Sequence, residues 1–247
     1  MLAEEYRELS EISLKEVDRL KSLDSVILIG GWAAHFLANE KFREWKNIDY
    51  IGSKDIYFGI REKDLEEISE KLENLGYSPI NFRFYKIFDR ETKKEINESE
   101  SRKRPMFQNF YLYVDLILDS PSKKDTVFFH DEIIKFALDN KLWTNREGMK
   151  ILAPELLLLT KLNAIKDRNE EKRLKDMLDC MFVASFSNLD MDFFRQLKER
   201  FKISKDKIGM AKKAVESGLL DMELSGLRFD SSEIRGLKTA FISLLEL

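Results

Sequence analysis

Two aspartates stand where the chain is otherwise apolar. Asp55 lies in Lys54-Asp55-Ile56-Tyr57-Phe58, and Asp115 lies in Val114-Asp115-Leu116-Ile117. A carboxylate inside an apolar strand is costly unless it is hydrogen-bonded, paired or bound to metal. Two of them on neighbouring strands could share one divalent cation through oxygen ligands. The plainer alternative is that one or both sit at a strand end, solvated or capping a loop. Upstream, Gly30-Gly31 separates the apolar run 25–29 from a helical pattern that begins at Trp32. A diglycine at such a junction lets the backbone approach a phosphate, and a helix N-terminus favours an anion. A tight turn uses glycine for the same freedom. Downstream, Lys161 and Arg168 are seven residues apart, which puts them on one face if both are helical. Asp176 and Asp179 are three apart and share a face of the next helix. A solvated charged face is the alternative for all four.

The elements that must position these residues follow from periodicity. Apolar residues from Leu9 to Leu23 recur with helical spacing, and residues 25–29 read as a short buried strand. Residues 54–60 form a second strand, and a charged helix over 62–75 ends at Gly76, a natural C-cap. Residues 77–88 are aromatic and alternating, and read as a strand. Residues 89–104 are charged and weakly patterned, as in a hairpin tip or loop. Residues 106–118 give the strongest strand signal of the chain, and two short strands follow at 141–144 and 149–152. After Ala153 the pattern changes. Pro154 stands where a helix start tolerates it, and helices are expected over 156–165, 174–186, 193–201, 208–220 and 234–245. The expectation is an α+β fold in two domains. Residues 1–152 form a mixed sheet flanked by helices, and residues 153–247 form a helical bundle.

Composition narrows the classes. The chain has 247 residues, 42 Lys+Arg against 45 Asp+Glu, and a hydrophobic fraction of 43%, which is enough for a core and excludes a disordered chain. The net charge of -3 argues against a wholesale nucleic-acid coat, although a local basic face remains open. No apolar run approaches 18 residues, so no membrane span is expected. With no signal-peptide core near the start, the expected location is the cytoplasm. One cysteine, Cys180, excludes an internal disulfide and a Cys-cluster zinc site. Only two glutamines accompany the Lys/Glu richness, a pattern shared with proteins adapted to heat and also with ordinary compositional drift. His35 lies one turn past the diglycine, within reach of a ligand or simply packed, and His130 marks a helix start. The stretch 83–104 interleaves eight basic residues with aromatics that serve either RNA or the core.

Taken in order, these features resemble the polymerase-β-like nucleotidyltransferase superfamily, and within it the minimal nucleotidyltransferases and the abortive-infection toxin branch. The matching residues are Gly30-Gly31, Ser53-Lys54-Asp55, Asp115, and Pro154-Glu155-Leu156 through Lys161-Leu162-Asn163-Ala164, then Arg168 and Lys175-Asp176-Met177-Leu178-Asp179. The resemblance runs over about residues 25–186. The resemblance implies a nucleotidyltransferase-like fold and Mg²⁺-dependent transfer of a nucleotide from an NTP to an RNA or protein acceptor. One or two Mg²⁺ ions would activate the acceptor and stabilise the leaving phosphates. It assigns Asp55 and Asp115 as metal ligands and, with Lys161, as the catalytic set. Gly30, Gly31, Ser53 and Arg168 would contact the nucleotide, with Lys161 offsetting phosphate charge. It extends to a toxin-like role with an antitoxin-like partner. The chain departs from the family pattern at Tyr57, where a second carboxylate is expected, and at Ile51, where an arginine is common. With two of three carboxylates, the alternatives are binding through one metal, recruitment of Asp49 or Glu62, or an inactive nucleotide-binding or protein-interaction module.

Overall fold

The computed structural model describes residues 2–122 and 128–247, with side chains from residue 9 onward. It is an α+β protein in which a mixed sheet is flanked by helices and followed by a run of helices. By contact density the chain divides into two units. One combines Tyr6–Trp32 with Gly52–Lys150, and the other combines Ala33–Ile51 and Ile151–Leu247 with the start of the chain.

The first unit is built on a sheet whose order is β3-β4-β6-β2-β1-β8-β7, with β5 paired to β4. Its strands are β1 (Ile27–Ile29), β2 (Ile56–Ile60), β3 (Ser78–Ile80), β4 (Arg83–Asp89), β5 (Glu95–Ile96), β6 (Asn109–Leu118), β7 (Trp143–Arg146) and β8 (Met149–Leu152). β2 and β6 run parallel, whereas β1·β2, β3·β4 and β4·β6 are antiparallel. Side chains alternate between faces along a strand, and here the two faces differ. Ile56, Phe58 and Ile60 of β2, with Leu112, Val114, Leu116 and Leu118 of β6, are sealed from solvent. Each such side chain contributes about 1.5–3 kcal/mol. Helix α1 (Leu2–Arg19) reaches this face, because its Glu16 accepts from the Tyr77 hydroxyl at 2.8 Å and pairs with Lys86 of β4 at 3.3 Å. The opposite face carries Tyr57, Tyr85, Tyr111 and Tyr113, all only partly buried.

Several expectations needed correction. The strand expected over 54–60 begins at Ile56, and Asp55 lies in the bend before it. The expected strand over 77–88 is a hairpin, β3 and β4, turned at Asn81, which takes a left-handed φ of 53°. Asparagine tolerates that conformation through its short polar side chain, and the aromatic alternation on both sides masked the turn. The expected loop over 89–104 contains β5 and a short helix, α4 (Glu98–Ser101), held by an Asn97–Glu100 capping box. Gly76, by contrast, caps helix α3 (Leu65–Asn74) with φ 89°, and β8 spans the expected residues.

The second unit joins most of helix α2 (Gly30–Lys46) to helices α6 (Pro154–Ala164), α7 (Glu170–Phe186), α8 (Met191–Arg200), α9 (Lys205–Val215), α10 (Gly218–Gly226) and α11 (Ser231–Glu246). Their starts follow capping chemistry. Asn169, Asp190, Ser204, Ser217 and Asp230 each accept a hydrogen bond from a first-turn N–H of α7 to α11. Ser217 therefore divides the expected helix over 208–220 into α9 and α10. The core is aromatic: Phe42 packs on Phe182, Phe186 and Phe229, and Tyr50 stacks on Phe182 with ring centroids 4.1 Å apart. No helix among the described residues is long and apolar enough to cross a membrane.

Candidate functional site

β1 ends at Ile29, and the chain enters α2 at once, so Gly30 and Gly31 form the first turn of the helix rather than a loop before it. Gly30 has φ +71°, which side chains other than glycine's resist. A Cβ there would lie 3.1 Å from Cδ2 of Tyr57, so the tyrosine ring closes directly over the turn.

The sheet aligns the candidate residues. Ile29, immediately before the diglycine, pairs with Tyr57; Tyr57 pairs with Asp115; and Asp115 pairs with Arg83. Residues separated by up to 86 positions therefore stand in one row across β1, β2, β6 and β4. Partners in a row project to the same face and meet as neighbours. Asp55 lies two residues before Tyr57 and is half-buried at the entry to β2. Ser53 lies in the irregular segment just ahead of it, partly buried. Gly52 fixes the course of this segment, because a Cβ on it would lie 2.3 Å from Cη2 of the Trp32 indole, which is anchored by its Nε1–H donating to Ser13 at 2.8 Å.

Asp115 is 5% exposed, and Arg83 answers its burial. Nε of Arg83 donates to Oδ1 at 2.8 Å and Nη2 donates to Oδ2 at 2.6 Å, a bidentate fork. The guanidinium lies 4.0 Å from the centroid of the Tyr113 ring. The hydrogen bond to Asp115 raises the Arg83 pKa, opposed by burial and reinforced by the charges of Asp115 and Asp55. Burial raises the Tyr113 hydroxyl, with Arg83 opposing and Asp55 adding to the rise. The charge of Asp55 thus reaches the same guanidinium that grips Asp115. Asp55 and Asp115 were expected to hold Mg²⁺. In this arrangement both oxygens of Asp115 are committed to Arg83, and the adjacent register position holds the phenol of Tyr57. Among the described residues no group of three His, Cys, Asp or Glu side chains could hold a metal ion. The residues present do not fit a two-metal set.

Lys161 and Arg168 lie in the helical unit. They do not share a helix face: α6 ends at Ala164, a 3₁₀ turn follows over Ile165–Asp167, and Arg168 is extended. They meet instead on Asp176, where Lys161 Nζ donates to Oδ1 at 2.6 Å and Arg168 Nε donates to Oδ2 at 3.0 Å. Lys161 also donates to Asp179 at 2.8 Å, so the two aspartates do share a face of α7, as their spacing predicts. Asp179 further accepts from Lys175 and, at 2.6 Å, from the Tyr50 hydroxyl. Burial disfavours the charge on Lys161, but Asp176 and Asp179 more than offset it and raise its pKa well above the ordinary value. Burial wins at Lys175 and lowers its pKa.

Sequence reasoning missed Arg83, Lys175 and Tyr50 as members of these clusters. Arg83 is 32 residues from Asp115, and only strand pairing brings them together, so no local signal marks it. Lys175 and Asp179, at i and i+4 on one helix, carried a readable spacing. His35 is packed, its Nδ1 lying 2.9 Å from the Tyr50 carbonyl oxygen. His130 is exposed, and the helix it announces, α5 (Glu132–Asn140), is capped by Asp131. Cys180 is buried and free, its thiol pushed up by desolvation. Phe84 and Phe88 are core residues, whereas Phe82 and Tyr85 are only partly buried.

No family model and no curated protein matches the chain. Two solved structures are similar at 16% identity. The lincomycin-bound lincosamide antibiotic adenylyltransferase LnuA aligns over 72% of this chain and 97% of its own, with a TM-score of 0.38. JHP933 from Helicobacter pylori aligns over 100% of this chain and 92% of its own, with a TM-score of 0.48. Any assignment of function therefore rests on the residues and their geometry.

Proposed function

We propose that the chain is a nucleotide-binding protein of nucleotidyltransferase-like design whose transfer activity is reduced or lost. The observation that carries this reading is the row Ile29–Tyr57–Asp115–Arg83, which aligns the strand end before the diglycine with the Asp115 carboxylate, while Asp55 precedes Tyr57 by two residues. The N–H groups that open α2 at Gly30 and Gly31 would receive the phosphates of an NTP. Ser53 and Arg83 lie in the same unit and would add donors. Lys161 and Arg168 spend their charge on Asp176 and Asp179 within the helical unit, and this reading gives them a structural role there.

Tyr57 and the Arg83–Asp115 fork are the reasons to place binding ahead of transfer. A second reading keeps Mg²⁺-dependent transfer to an RNA or protein acceptor, with a toxin-like role and an antitoxin-like partner. What supports it is that the charge of Asp55 adds to that of Asp115 in raising the Arg83 pKa, so a second acid acts on the same guanidinium. Incubation with labelled NTPs and Mg²⁺, together with calorimetric NTP titration, decides between them. The binding reading predicts a calorimetric signal with little labelling that is equal in wild type and Asp55→Ala. Strong labelling lost in Asp55→Ala would establish the second reading, and neither binding nor labelling would refute both.

A further inference from the structure

The Arg83–Asp115 fork has a consequence for what the site can hold. Each carboxylate oxygen keeps a lone pair after one hydrogen bond, so what bars a divalent ion is a cation already seated on the carboxylate, which neutralises it and repels a second positive charge. Here the more deeply buried carboxylate is engaged on both oxygens at 2.8 and 2.6 Å, and a full positive charge stands on it. Arginine does not lose its proton at any ordinary pH, so the obstruction cannot be titrated away. The guanidinium is also braced from the side by the Tyr113 ring, with Phe82 within 5.9 Å. Tyr57, next to Asp115 in register, offers a neutral oxygen where a further charged ligand would be required.

We propose that Arg83 is the resident cation of this carboxylate site, occupying the position a divalent ion would need and making the site independent of metal. Nε and Nη2 serve Asp115, and the side chain is about a quarter exposed. Its remaining guanidinium donors would serve the anion that the site receives, since a planar guanidinium suits phosphate. The identity of that anion rests on the nucleotide-binding reading. The exclusion of metal does not.

Mn²⁺ alone, titrated into the full chain and followed by the loss of its free EPR signal, tests the exclusion without any nucleotide. Wild type should show no Mn²⁺ site that Asp115→Asn removes. Arg83→Gln keeps a hydrogen-bond donor for Asp115 but no charge. Combined with Tyr57→Asp, it should gain a Mn²⁺ site at least tenfold tighter than any in wild type, and adding Asp115→Asn should abolish that site. A stoichiometric wild-type Mn²⁺ site lost in Asp115→Asn overturns the proposal. So does a double variant that retains the wild-type circular dichroism spectrum yet gains nothing. The wild-type titration decides even if the double variant does not fold. Absence of NTP binding in calorimetry would refute the nucleotide reading and leave the Mn²⁺ result standing.

Discussion

Lys161 is 6% exposed and sits between two buried carboxylates, so its contribution is electrostatic and local. Lys161→Met keeps the volume and removes the charge, leaving Asp179 to Lys175 and Tyr50 and Asp176 to Arg168. Breaking a buried pair from one side costs about 3–5 kcal/mol, because the other charge stays buried. The expected outcome is a fall of that order in unfolding free energy at unchanged denaturant slope. A loss under about 1 kcal/mol would show that the cluster is solvated. The pH dependence has a defined sign. Burial pushes Asp179 up, yet the charges of Lys161 and Lys175 outweigh it and leave its pKa below the usual range. A depressed folded value means that stability is present above about pH 4 and is lost as pH falls through the depressed value. The acid limb of a stability profile should therefore flatten in Lys161→Met. Legibility at this scale followed sequence distance. Asp176 and Asp179 were readable from a three-residue spacing, and Asp115 from its apolar surroundings. Arg83 was not, because its partner is 32 residues away.

Gly52 shows how one element positions another. Its missing side chain is filled by the Trp32 ring at the start of α2, and the segment bearing Ser53 and Asp55 runs on from there into β2. Gly52→Ala forces a shift of backbone or indole, neither of which is a flexible tip. Overpacking of this kind costs about 1–3 kcal/mol. Thermal unfolding should show a drop of about 2–4 °C for each kcal/mol lost, and an unchanged melting temperature would mean that the indole is not anchored as described. Elements with unbroken periodicity were legible, including β6, β8 and the helices α6, α7, α8 and α11. Those that depend on a single residue's backbone were not. The Asn81 turn splits one expected strand into two, and the Ser217 cap splits one expected helix. In both cases the hydrophobic pattern runs on across the break, so periodicity alone does not see it.

Over the whole molecule, the near balance of 42 basic and 45 acidic residues conceals two unlike arrangements. Among the described residues many ion pairs have an exposed partner, such as Lys71–Glu67 and Arg102–Glu98, and contribute little. A few are buried or partly so and specify geometry: Lys86–Glu16 and Arg83–Asp115 in the sheet unit, and Lys161 with Asp176 and Asp179 in the helical unit. The fold class was legible because every strand of the described residues falls before residue 153 and the chain beyond it is helical. The sheet order was not, because it is set by pairings such as β2·β6 that join distant segments. The central claim is a nucleotide site whose cation is an arginine. The most direct measurement is calorimetric titration of NTPs into the wild-type chain, once with EDTA and once with Mg²⁺. Binding in EDTA with an affinity within about threefold of that in Mg²⁺ is the predicted result, and Arg83→Gln should weaken both by about tenfold, the 1.4 kcal/mol expected of one charge-assisted contact. NTP binding that appears only when Mg²⁺ is present would contradict it.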